Sequence, residues 1–372
     1  MKKILIMNDL LQGGGVEKVL FDLVNNIPTD DYDITILTMN EDMHFYDIYS
    51  RKIKYISMFK NINRDIGFLK KQLYRVYRKI RLNQIKQKII KERYDIAVAI
   101  KEGPCMKFIS TLPVNRKIAW VHTDYEVFHW TKGVFGSNEN EKTCMERFDA
   151  VICVSKAAKN SVISTIGDPE NLVVCYNPLD CELMKEMSKN SHKGIDTRAN
   201  KKPLIVTVGR LVKQKGYDRL LQACQVIKDQ YDFEIWIIGD GDLKDEFVDY
   251  IDENELSPII KLLGKKENPY PYIKAADYFI CTSEGESFGL AVQEAVILGT
   301  PVISVDCPAI CELLRSQDGL IFENSIEGIT DGLKYMCTHN PQKEFQMMEY
   351  TNEEFMNQRI EKIMNVLGGG QQ

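Results

Sequence analysis

Short apolar segments alternate with helical stretches along almost the whole chain, and they fall into two sets. The first reads KILIM (3–7), DITILTM (33–39), KYISM (54–58), DIAVAI (95–100), KIAWV (117–121), AVICVS (150–155) and LVVCYN (172–177). The second reads LIVTVG (204–209), EIWIIG (234–239), IIKLLG (259–264), YFICTS (278–283), PVISVD (301–306) and LIFE (320–323). Many are apolar at nearly every position rather than at every second one, the pattern of parallel strands buried on both faces. Their alternation with helices implies doubly wound α/β sheets. Between the sets, Asp180 to Lys202 carries no strand pattern, and Asn177-Pro178 closes the first set. We therefore expect two Rossmann-like domains, 1–178 and 179–345, followed by a helical segment, 346–372, with no strand after it. Ligands of such sheets sit beyond the carboxyl ends of the strands, so a cleft between two facing domains is the expected site.

At 372 residues the chain is long enough for two domains of ~100–200 residues. Its 44% apolar and 27% charged residues exclude a disordered or fibrous chain. No apolar run approaches the ~18 residues of a membrane span. The start, MKKILIMNDL, has no long apolar region or small-residue cleavage site and reads as a first strand, which points to a cytosolic protein. Ten cysteines are scattered, with no CxxC pair, several of them inside apolar runs. They read as small buried hydrophobes rather than as disulfides or zinc ligands.

The net charge of −5 hides an asymmetry. Residues 51–93 hold fifteen Lys and Arg against Asp65 and Glu92; that segment is +13 and the rest of the chain −18. Within it, Ile66, Leu69, Leu73, Val76, Tyr77, Ile80, Ile85 and Ile89 recur at mostly three- and four-residue steps, an apolar helical stripe under a basic face. One reading is a helix packed on its domain with a solvated cationic face. A second is an element drawn to anionic lipid, each cation near the surface contributing about 1 kcal/mol. Nucleic-acid binding fits less well, because the remainder is acidic and shows no recognition signature.

Three motifs follow strands. Asn8 to Lys18 contains Gly13-Gly14-Gly15 ahead of a helical stretch, which lets backbone amides approach an anion. The dinucleotide fingerprint fails there, since Lys18 stands where its third glycine belongs. In the second set, Gly209-Arg210 is followed five residues later by Lys215: a fork and a point charge suited to a pyrophosphate. Finally, Ser283 to Ala295 runs from a strand through a glycine-rich turn into a helix, with Glu286 and Glu294 eight residues apart. The pair brackets a helix N-terminus whose amides lack helical partners.

With these motifs the sequence resembles glycosyltransferase family 4, the retaining enzymes of GT-B fold. Gly13–Gly15, Gly209-Arg210 with Lys215, Gly239-Asp240-Gly241, the Asn268–Tyr272 loop and the Glu286…Glu294 pair carry the resemblance, which is strongest over 204–312. It implies two Rossmann-like domains facing across a cleft, with a last helix crossing back to the first. It also implies that Arg210 and Lys215 hold the donor diphosphate and that Glu294 accepts hydrogen bonds from the ribose. Glu286 would contact the transferred sugar, and Ser287, Phe288, Gly289 and Leu290 would offer amides. Gly264 to Glu267 would frame the base, while Gly14 and Gly15 would face the diphosphate and acceptor. His122, just past a strand, is implied near the donor sugar, although a histidine in such a place is commonly structural. Asp124 and His129 are candidates for the acceptor side.

The expected activity is transfer of a hexose from a nucleotide diphosphate sugar, a UDP-sugar, to a glycan or lipid-linked hydroxyl in bacterial surface polysaccharide synthesis. The resemblance implies retention of configuration and neither cofactor nor metal; Asp31-Tyr32-Asp33 and Asp240-Gly241-Asp242 match metal strings only superficially. The basic segment would place the protein at the inner face of the plasma membrane. A nucleotide-sugar epimerase of the same architecture and a non-catalytic nucleotide-sugar-binding partner are the alternatives.

Overall fold

A computed structural model describes residues 1–11, 14–28, 31–40, 53–59, 68–189, 202–341, 345 and 349–369, with the side chains of 68–73 and 75 left aside. All thirteen apolar runs form strands: β1 Lys2–Asn8, β2 Tyr32–Asn40, β3 Lys54–Phe59, β4 Ile96–Ala99, β5 Arg116–Val121, β6 Ala150–Cys153, β7 Leu172–Val174, β8 Leu204–Val208, β9 Glu234–Ile238, β10 Ile260–Gly264, β11 Tyr278–Cys281, β12 Val302–Val305 and β13 Gly319–Phe322. Several end short of the apolar run, where the chain leaves the ladder for a loop. They build a seven-stranded sheet, β3-β2-β1-β4-β5-β6-β7, and a six-stranded one, β10-β9-β8-β11-β12-β13. Every pairing is parallel, with β1 and β2 in register from Lys2 opposite Tyr32 and β8 and β9 from Leu204 opposite Glu234. Every residue of β4, β6, β11 and β12 is buried, which is why those segments read as unbroken apolar runs.

Strand order reverses between β1 and β4 in one sheet and between β8 and β11 in the other. In doubly wound sheets the loops leaving such strands part to opposite faces, and ligands bind at that carboxyl edge. The chain divides into two compact units, Met1–Pro178 with Asn357–Gln372, and Leu179–Met356. The last helix, Gln358–Gly368, thus returns to the first unit. It buries Ile360, Ile363, Val366 and Leu367. Arg116 donates to its Val366 carbonyl from Nε at 3.1 Å and Nη2 at 2.5 Å, and its Arg359 donates to the Asn177 carbonyl at 2.8 Å.

The basic segment forms the 25-residue helix Phe68–Glu92. Its apolar stripe is not one buried face. Ile85 and Ile89 are buried, but Val76 and Ile80 are each more than half exposed and Tyr77 is exposed too. Ile66 lies outside the described residues, as do the Leu69 and Leu73 side chains. Arg81 donates to the Met58 carbonyl at 3.1 Å and Arg78 lies 4.7 Å over the Phe59 ring, so β3 holds the helix by cations as well as by apolar contact.

None of the ten cysteines forms a disulfide, and eight are buried. Asp240 closes its own turn, its carboxylate accepting from the Gly241 amide at 3.0 Å and its carbonyl from Leu211. Among the described residues no cluster could hold a metal ion, and no helix is long and apolar enough to cross a membrane.

Candidate functional site

In the second unit the motifs meet at the strand reversal. Gly209 follows β8, and Gly239 follows β9 so closely that a Cβ on Gly239 would sit 1.8 Å from the Gly209 carbonyl oxygen. This contact requires glycine. It leaves Arg210 exposed, with its guanidinium engaged by no hydrogen bond or ion pair among the described residues. Lys215 ends the single turn Lys213–Lys215 and places Nζ 2.5 Å from Glu286 Oε1. Ser283 Oγ donates to the same oxygen at 2.7 Å. Burial works against the Lys215 charge, but the Glu286 carboxylate outweighs it and raises the pKa. Lys215 is therefore held as the ammonium. Two residues expected to act separately are thus joined.

Beyond Glu286 the turn enters the helix Leu290–Ile297 through Gly289, at φ +70°. A Cβ there would meet Ile310 Cδ1 at 2.3 Å, so the helix start is fixed in the left-handed region that glycine alone enters cheaply. The first helical bond runs from the Gln293 amide to the Gly289 carbonyl, which leaves the amides of Leu290, Ala291 and Val292 at an electropositive terminus. Phe288 anchors the turn in the core, Ser287 and Leu290 are half-buried beside it, and Glu294 is buried one turn further in. Gly264 closes β10 at φ +69° after a register shift from Leu262, and a Cβ would meet open space there. The loop it opens carries Lys266, 5.7 Å over the Tyr272 ring.

In the first unit the reversal lies at the ends of β1 and β4. Glu17 closes the glycine-rich turn, taking the Gly14 amide at 2.7 Å and Asn8 Nδ2 at 3.3 Å. Gly15 opens the helix Gly15–Asn26, and Gly13 lies outside the described residues. Sequence reasoning missed three residues here. Lys101 Nζ pairs with Asp9 Oδ2 at 2.7 Å, one residue from each side of the reversal. Glu102, about 1% exposed, accepts from the His122 amide at 3.0 Å, from Trp130 Nε1 at 3.1 Å and from the Thr123 hydroxyl. Trp130 fits because Gly103, at φ +79°, has no Cβ: one would lie 2.6 Å from the ring. The available signal was position, since Lys101-Glu102-Gly103 follows a strand that borders the reversal.

His122 stands at the end of β5. Burial lowers its pKa to about 4 against the opposing pull of Glu102, so the imidazole is neutral at pH 7. Asp124 and His129 are both engaged by neighbouring groups. Asp124 Oδ1 accepts from the Glu126 amide at 3.0 Å. His129 Nε2 lies 2.8 Å from Oε2 of the fully buried Glu141, whose Oε1 accepts from Tyr125 and Thr131.

Comparisons with known proteins bear on the family and the fold. The family model described as Glycosyltransferase Family 4 matches residues 13–183, and the one described as Glycosyl transferases group 1 matches 188–354. An uncharacterized glycosyltransferase of Haemophilus influenzae is 23% identical over 370 residues, 98% of each chain. A Campylobacter jejuni protein named as an N-acetylgalactosaminyltransferase acting on a diphospho-undecaprenol-linked sugar is 29% identical over 192 residues, half of each chain. The crystal structure of Anabaena HepE in complex with UDP and glucose superposes with a TM-score of 0.79, covering 99% of this chain and all of that one at 19% identity. At that identity the likeness speaks for the fold.

Proposed function

The chain belongs to the group 1, family 4 glycosyltransferases, and from that premise we propose that it transfers a hexose from a UDP-sugar to a glycan or lipid-linked glycan with retention of anomeric configuration. The observation that carries the donor side is the Lys215–Glu286 pair, set beside the unengaged Arg210 and ahead of a helix N-terminus. Arg210 and Lys215 hold the diphosphate; Lys215 exchanges part of its bond to Glu286 for the phosphate, which frees Glu286 for the sugar hydroxyls. Glu294 takes the ribose, and Gly264 to Glu267 the base. The UDP complex of the Anabaena structure supports a uridine donor.

In the proposed step the bond from the anomeric carbon to the phosphate oxygen breaks while the acceptor oxygen bonds on the same face. The acceptor's proton passes to the departing phosphate. Charge growing on that phosphate is met by Arg210, Lys215 and the amides from Ser287 to Leu290, so the reading requires no metal or other cofactor. Neutral His122 is assigned the part of a hydrogen-bond partner to the sugar. Gly14 and Gly15 border the acceptor, whose side Asp124 and His129 shape through their loop.

Synthesis of a bacterial surface polysaccharide at the inner membrane face is the setting we favour. The printed acceptor of the Campylobacter relative is lipid-linked. The exposed Val76, Tyr77 and Ile80 sit among the cations of the helix Phe68–Glu92, which suits an anionic lipid surface better than a solvated face does. The test is release of nucleotide from UDP-, GDP- and ADP-sugars, with and without anionic vesicles, with early proton spectra of the sugar product. Slow release from a UDP-sugar, giving the donor's own anomer first, is expected. Interconversion of nucleotide sugars without release would favour an epimerase, and no turnover with tight binding a binding partner.

A further inference from the structure

Four consecutive backbone carbonyls lead into Glu286, and each accepts a hydrogen bond from a different side chain. Thr282 O takes Arg219 Nη2 at 2.6 Å, and Ser283 O takes Cys307 Sγ at 3.0 Å. Glu284 O takes Asn324 Nδ2 at 3.3 Å, and Gly285 O takes Gln214 Nε2 at 3.0 Å. These donors come from four places: the helix Tyr217–Ile227, the end of β12, the segment after β13 and the turn after β8. Arg219 and Asn324 are also joined, Nη1 donating to Asn324 Oδ1 at 2.8 Å. Asn324 Nδ2 reaches Asp306 O as well, at 3.0 Å, so its one carbonyl and both amide hydrogens are engaged. Burial raises the Cys307 pKa, so the thiol keeps the proton it donates. Gly216, at φ +65°, permits the approach: a Cβ there would lie 2.1 Å from Thr282 O.

In a planar trans peptide the carbonyl of one residue and the N–H of the next point to opposite sides. Turning the Glu284 and Gly285 carbonyls toward Asn324 and Gln214 therefore aims the Gly285 and Glu286 amides the other way. We infer that Arg219 and Asn324 are positioning residues for donor-sugar recognition, which rests on the donor reading above: they act through the 282–286 backbone and touch no substrate. Among the described residues no hydrogen bond joins them to Arg210 or to the base-framing loop. The clamp should thus govern the sugar end of the donor and leave the nucleotide end alone.

The test uses the full chain with Asn324→Asp and Arg219→Lys. Aspartate keeps the shape and the bond to Arg219 but sets a carboxylate against two carbonyls. Lysine keeps the charge but cannot span two acceptors as the planar fork does. Calorimetric affinities for the nucleotide sugar and for the matching free nucleotide are compared with wild type, alongside hydrogen exchange of the 282–290 backbone without ligand. We expect the preference for nucleotide sugar over free nucleotide to fall about tenfold or more, the loss of roughly one charge-assisted interaction. Free-nucleotide affinity should stay within about threefold, and exchange in 282–290 should quicken. An equal fall in both affinities would reduce the two residues to general stabilisers and overturn the inference, as would unchanged exchange in 282–290. If wild type bound no nucleotide sugar at all, the donor reading would fail, and faster exchange would still support the clamp as a backbone device.

Discussion

At the scale of single residues the site is set by what each charge has beside it. His122 is the clearest case. In the unfolded chain a histidine takes its proton near pH 6.5, but in the fold burial delays protonation to about 4. Between those values the unfolded state holds the extra proton, so stability falls as pH drops through the window and is fully present above it. His122→Asn removes the titration. Its melting temperature should change less between pH 7 and pH 5 than that of wild type, and equal changes would show that His122 titrates normally. Gly289 is constrained by shape instead. Gly289→Ala adds a left-handed conformation worth ~1–2 kcal/mol and a contact with Ile310, so a loss of ~2 kcal/mol or more in denaturant unfolding is expected. Glu286, Glu294, Arg210 and Lys215 could be singled out in the sequence because strand ends, glycines and spacing bracket them. Asp9, Lys101 and Glu102 were not. A charged residue after a strand has no periodic signature, and only the strand order shows that β1 and β4 are neighbours that reverse. The ion pair between Lys215 and Glu286 was equally hidden, since a sequence separation of 71 carries no trace of it.

At the scale of elements, the strands were the easiest to read and the basic helix the least complete. A strand buried on both faces must be apolar throughout, so β4 and β11 could be read directly. A helical stripe shows only that one side is apolar, not that a partner covers it. Ile85 and Ile89 are covered while Val76 and Ile80 are not, although all four fit the same pattern. That uncovered half is where an anionic surface is expected. Replacing Arg78 and Lys79 by glutamate should weaken sedimentation with anionic vesicles by about tenfold or more, since each reversal removes ~1 kcal/mol of attraction and adds repulsion. Raised salt should weaken the wild type too. Equal sedimentation of variant and wild type would leave the helix a solvated face.

At the scale of the molecule, two units share one chain that leaves the first at Pro178 and returns at Asn357. The last helix buries Ile363 and Leu367 against the first unit, where Arg116 caps its carboxyl end. Truncation after Met356 should therefore lower the unfolding temperature of the first unit while the second unit's folding is kept; equal loss in both would contradict the division. The donor site proposed above, by contrast, draws Arg210, Lys215, Glu286 and Glu294 from the second unit, around the reversal between β8 and β11. The measurement that bears most directly on it is nucleotide release from the preferred donor by wild type, Arg210→Ala and Glu286→Ala, at matched melting temperatures. The account predicts a loss of about a hundredfold or more in each variant, the scale for removing one group that stabilises the transition state. Release within a few-fold of wild type in either folded variant would contradict it.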